Sequence, residues 1–157
     1  MKLSKLQGNI FDIAEQYELT IVFGHKGLNL LSIPMTEFLS KHNKIYGISD
    51  PFQEIPNMAV KYEPDRNIWF MPEEEMHGIS DERLKIQLKS IFDWASSNGC
   101  KTILFNGAQC IDYKKNNIVE NKERVQLIEQ LIYEFDKNHN GYFKEVCLIS
   151  LSTAFID

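Results

Sequence analysis

Three short runs of apolar and β-branched residues govern what this chain can become: Leu19–Phe23 (LTIVF), Lys101–Phe105 (KTILF) and Val146–Leu151 (VCLISL). Continuous apolar character of this kind predicts strands covered on both faces, not half-exposed ones. Long amphipathic segments lie between the runs. Strands separated by helices cannot be joined by tight hairpins; they need crossover connections, which place the strands parallel and the helices on the faces. The predicted class is therefore α/β, a three-layer α/β/α sandwich around a mixed, mostly parallel sheet.

The remaining elements fit that frame. Leu3–Gln7 is predicted as a short edge strand closed by Gly8. Met58–Tyr62 and Asn67–Met71 flank the turn-like tetrapeptide Glu63-Pro64-Asp65-Arg66, so a hairpin supplies the antiparallel part of the sheet. Pro34 stands where a short helix can begin, with Met35, Phe38 and Leu39 on its apolar face. Ser80 is a helix cap, Asp81 and Glu82 suit the first turn, and Gly99 suits the position just past the end. Between them Leu84, Leu88, Ile91, Phe92 and Ala95 form one stripe, with Trp94 off it. A second amphipathic helix is predicted from about Asn121 to Lys137, with Val125, Ile128, Leu131, Ile132 and Phe135 inward. Trp69 and Phe70 fall on opposite faces of their strand and read as core.

Composition narrows the function classes. At 157 residues with 43% hydrophobic and 25% charged, the chain is expected to form a single domain over residues 1–157. A net charge of −5 disfavours a role coating duplex nucleic acid. No apolar run reaches the roughly 18 residues of a membrane span. The first eight residues lack an apolar signal core, so a cytoplasmic location is expected. Cys100, Cys110 and Cys147 form no CxxC pair and His25, His42, His77 and His139 are scattered, so no metal and no cofactor are expected, and the thiols are read as reduced. Neither a Walker glycine loop, nor GxGxxG, nor a GxSxG elbow is present. Glu73, Glu74 and Glu75 are read as a solvated loop, because adjacent side chains do not converge on one point.

Two stretches follow buried strands as polar, glycine-bearing loops: Gly24–Ser32 after LTIVF and Asn106–Lys115 after KTILF. In open α/β sheets ligands bind outside the carboxyl ends of the strands, so these loops are the expected ligand side. Each precedes a predicted helix start that favours an anion.

The order of these elements, with Lys5-Leu6-Gln7-Gly8-Asn9-Ile10 at the first strand end, resembles the macrodomain family. The segment Asn67–Asp112 looks most like the branch containing the terminal ADP-ribose protein glycohydrolases: an aromatic strand (IWFM), a long helix ending in Asn-Gly, a short strand, then a glycine-bearing loop ending in aspartate. The resemblance implies a cleft for ADP-ribose or a related nucleotide, and as a further partner an ADP-ribosylated protein. It implies that Asn9 takes the place of an aspartate that accepts from the adenine amino group, with the Ile10 backbone beside it. Gly24, His25 and Lys26 would line the first loop. Gly107, Ala108, Gln109, Cys110 and Ile111 would cradle the diphosphate through backbone N–H groups. Lys61 falls near the place of the branch's lysine nucleophile on the ribose anomeric carbon, where a one-residue shift would put Tyr62, and Asp112 would assist by proton transfer.

The chain also departs from that pattern. His25–Pro34 carries Leu28, Leu30, Leu31 and Pro34 where the family clusters glycines, and Gly107-Ala108-Gln109 replaces a Gly-x-Gly spacing. Side chains there restrict the φ > 0 conformations that let a backbone approach phosphate. Two readings follow besides an enzyme that removes ADP-ribose from a modified target: a degenerate macro-like module for protein interaction, and an unrelated α/β nucleotide binder.

Overall fold

A computed structural model describes residues 1–25, 33–42, 48, 50–73, 80–106 and 118–150. Their elements run β1 (Lys2–Gln7), α1 (Ile10–Ile13), a 3-10 turn (Ala14–Gln16), β2 (Leu19–His25), α2 (Ile33–Lys41), α3 (Pro51–Glu54), β3 (Ala59–Glu63), β4 (Arg66–Glu73), α4 (Asp81–Ser97), β5 (Thr102–Asn106), α5 (Ile118–Asn138) and β6 (Glu145–Ser150). The six strands form one sheet in the order β1-β6-β5-β2-β4-β3. Every neighbouring pair is parallel except β3 with β4, the predicted hairpin. Glu63 pairs with Arg66 across Pro64-Asp65, and Asp65 adopts φ 57°, a left-handed conformation that aspartate tolerates better than most side chains.

Strand pleating divides the apolar residues between two cores. Leu19, Ile21, Ile103, Phe105, Trp69, Met71, Val146 and Leu148 face α4 and α5. Val22, Leu104, Ile68, Phe70, Cys147 and Ile149 face the opposite layer, where Ile10, Ala14, Met35, Phe38, Leu39 and Phe52 pack. Both faces are thus covered, which is why the central strands read as unbroken apolar runs. The result is the α/β/α sandwich with a mixed, mostly parallel sheet.

The long helices begin and end for local reasons. Ser80 Oγ accepts from Arg83 N–H at 3.2 Å, and Gly99 takes φ 77° just past the end of α4. Cys100 N–H then closes the turn onto the Ala95 carbonyl at 2.9 Å. The predicted stripe of α4 is fully buried, and Trp94 lies half-buried with its ring edge-on to Trp69 at 6.0 Å. α5 starts at Ile118, three residues before the position that periodicity suggested. The short helices α1 and α3 span four residues each, too few for an apolar period to appear in the sequence.

Candidate functional site

All five parallel strands point the same way, so the sheet has one carboxyl end. β1 reaches it at Gln7, after which Gly8 N–H donates to the Ser150 carbonyl at 2.9 Å and ties the chain to the end of β6. Asn9 follows. Its Oδ1 accepts from Phe11 N–H at 2.9 Å and its backbone carbonyl from Asp12 N–H at 3.1 Å, which turns the chain into α1. Ile10 is 5% exposed and packs with Cys147 and Ile149 in the core beneath. β2 outruns β5 here: Val22 is level with Asn106, while Phe23, Gly24 and His25 continue beside Met71, Pro72 and Glu73. Asn9, Ile10, Gly24 and His25 therefore share the carboxyl end, with Asn106 and Ser150 between them.

Asn106 and Ser150 were not singled out from the sequence. The signal for Asn106 was its place straight after KTILF; Ser150 sits inside an apolar run and gives none. Lys26, the loop Gly107–Ile111 and Asp112 lie outside the described residues.

Lys61 is elsewhere. It pairs with Asn67, which pairs in turn with Leu19 at the start of β2. His25 is six residues further along that strand, about 20 Å at the usual rise. The resemblance gives Lys61 as a nucleophile; the structure places it near the amino end of the parallel strands, because β3 is antiparallel and its carboxyl end meets the amino ends of its neighbours. The exposed Lys61 instead borders a cavity of about 140 Å³ with Glu18, Asn67, Trp94 and Cys100. That end is knitted for structure. Glu18 N–H donates to Thr102 Oγ1 at 2.9 Å, Lys101 N–H donates to Glu18 Oε1 at 2.9 Å, and Asn67 Nδ2 donates to the Glu18 carbonyl at 3.3 Å. Burial pushes the Cys100 thiol above its ordinary pKa, so it is a poor nucleophile.

A third polar cluster sits on the flank, between α1, α2 and β3. His42 is 2% exposed, with its ring against Phe38 and Tyr62, centroids 4.6 Å from each. Its Nδ1 lies 2.9 Å from Glu63 Oε1 and its Nε2 3.2 Å from Glu15 Oε1. Lys41 Nζ donates to Glu15 at 2.8 Å and holds that carboxyl below its usual pKa. Phe11, Asp12, Glu37 and Phe38 border a shallow cleft of about 190 Å³ beside this cluster. Among the described residues, no three histidine, cysteine, aspartate or glutamate side chains are grouped to hold a metal ion. No described helix is long and apolar enough to cross a membrane.

No family model and no curated protein matches the sequence. Solved structures do match in fold. A Trypanosoma brucei macrodomain in complex with ADP-ribose superposes with a TM-score of 0.68 at 12% identity, over 98% of this chain and 67% of that one. The same macrodomain in complex with ADP gives a TM-score of 0.64 at 12% identity, with the same coverage. The macrodomain of Thermus aquaticus DarG gives 0.59 at 12% identity, over 94% of this chain and 97% of that one. The shared feature is the sandwich itself, and the fold of this chain is macrodomain-like.

Proposed function

We propose that the chain binds ADP-ribose or a related nucleotide in a cleft at the carboxyl end of its parallel sheet. The observation that carries this reading is the convergence of Asn9, Ile10, Gly24, His25 and Asn106 on that end of a macrodomain-like fold. Two neighbours of that fold are complexes with ADP-ribose and with ADP. Parallel α/β sheets gather the N–H-rich starts of their following segments at one end, which suits a diphosphate. In this reading Lys26 and the backbone of Gly107–Ile111 complete the phosphate cradle. Asp112 is the acid at its rim, and an ADP-ribosylated protein is the larger partner from which ADP-ribose would be removed.

The test is a thermal-shift titration with ADP-ribose, with AMP and ribose 5-phosphate as controls. Ligand at 100 times its dissociation constant adds about 2.7 kcal/mol of stability. A selective rise of about 5–10 °C supports the cleft. Asp112→Ala then separates turnover from binding on an ADP-ribosylated protein: loss of release with retained affinity supports the acid role. No shift at millimolar ligand overturns the cleft and favours the interaction module, to which the leucines and proline of residues 28–34 already point.

A further inference from the structure

His139 closes the end of α5 onto α4. Its Nδ1 lies 2.6 Å from the Phe135 carbonyl, one turn back on the same helix, and its Nε2 lies 3.0 Å from Asp93 Oδ1 on α4. Neither partner has a proton to give. A carbonyl only accepts. The Asp93 carboxyl is held below its ordinary pKa by Lys89 Nζ, which donates to Oδ2 at 2.7 Å, and then by His139, so it is ionised wherever a histidine titrates. A neutral imidazole carries one N–H; it serves one of these acceptors and turns a lone pair toward the other. Only the imidazolium serves both. Its charge also suits the last turn of α5, whose unpaired carbonyls make that end negative. From α5 itself, Asp136 shares the turn: its carbonyl accepts from His139 N–H at 3.2 Å and its Oδ1 from Phe143 N–H at 3.2 Å. The segment before β6 adds an uncharged ring, Phe143, edge-on to His139 with centroids 5.6 Å apart.

We propose that His139 is a proton-gated clasp: its imidazolium ties the ends of α4 and α5 together, and loss of that proton releases one of its two bonds. The clasp stands apart from the nucleotide reading, since α4 and α5 end at the amino end of the sheet. What it secures is the turn that feeds β6. Phe143 in that turn also meets Phe92 at 4.9 Å, so the clasp closes one corner of the core beneath the two helices. An unfolded histidine gives up its proton at about pH 6.5. A fold that holds the proton therefore gains stability that is complete below that pH and is lost as pH rises above it.

Urea denaturation of the native chain and of His139→Gln, near pH 5.5 and near pH 8.5, isolates this ring from the other histidines, which both proteins share. The ratio of their unfolding constants, variant over native, is expected to be about 3- to 10-fold larger at the lower pH, the worth of one charge-assisted hydrogen bond to a partly exposed partner. An equal ratio at both pH values overturns the clasp. The same pair is then compared in an Asp93→Asn background, where the amide can donate as well as accept and a neutral ring fits. There the pH dependence of the ratio should disappear, and its persistence overturns Asp93 as the partner. Long-range nitrogen–proton NMR of the native chain near pH 7, with His139→Gln to assign the signal, reads the ring directly. Both nitrogens are expected to carry protons; a neutral tautomer at that pH overturns the proposal.

Discussion

Lys61 stands opposite Asn67 in the β3–β4 ladder, at the amino end of the parallel strands. An antiparallel hairpin strand carries its last residues toward the end of the sheet where its neighbours begin. A ligand over the strand ends at Asn9 and His25 is out of reach of that amine.

Lys61→Ala is accordingly expected to leave nucleotide affinity within two-fold of the native value. Its stability should change by no more than about 0.5 kcal/mol, as for other exposed positions. Calorimetric titration and a urea melt check both, and a ten-fold loss of affinity would move the ligand to the amino end.

His42 joins α2 to β3 through Glu63 and to the 3-10 turn through Glu15, with its ring between Phe38 and Tyr62. His42→Ala removes the ring from a closed core and takes from Glu63 its contact with Nδ1, while Glu15 keeps Lys41. The expected cost is about 2–4 kcal/mol by urea denaturation. His42→Phe should recover part of it, because the packing returns and the hydrogen bonds do not.

Phe92 is 1% exposed and meets Phe143 at 4.9 Å and Phe135 at 5.6 Å, joining α4 to α5 and to the segment before β6. Phe92→Ala should cost about 3–5 kcal/mol, measured by the same melt.

Alkaline stability follows from buried acids whose neutral forms the fold prefers. Burial, then hydrogen bonds to Cys147 and Glu145, raise the Tyr17 phenol well above its ordinary value of 10.0. Burial pushes Tyr62 up to about 12 and raises the Cys147 thiol from 9.0. A group with a raised folded pKa contributes stability below its unfolded value and loses it as pH climbs through the folded one. The melting temperature should therefore fall as pH rises past about 9, the ordinary thiol range. Tyr17→Phe should shallow that fall, and an unchanged slope would show that Tyr17 is not the group responsible.

Capping of α4 is a local effect and should be modest. Ser80→Ala removes the acceptor for Arg83 N–H and is expected to cost about 1 kcal/mol, with the fold retained by circular dichroism.

The three buried strands, the Ser80 cap, the Gly99 stop and the hairpin at Pro64-Asp65 were legible in the sequence, because each is written by neighbouring residues. A strand covered on both faces must be apolar throughout, and a cap must carry an oxygen at one position. The short helices α1 and α3 were not legible, since four residues cannot display a period. Strand order was not legible either. Lys2 pairs with Glu145, and nothing in either segment names its partner across that separation.

The sequence by itself determined the class of fold and the residues that face its two cores, through local apolar pattern and turn chemistry. Tertiary structure decided which ends of the strands meet. It carried Lys61 away from the carboxyl end and placed Asn9 on it. Those outcomes depend on pairing between distant segments and on the direction each strand runs, and neither leaves a periodic trace along the chain.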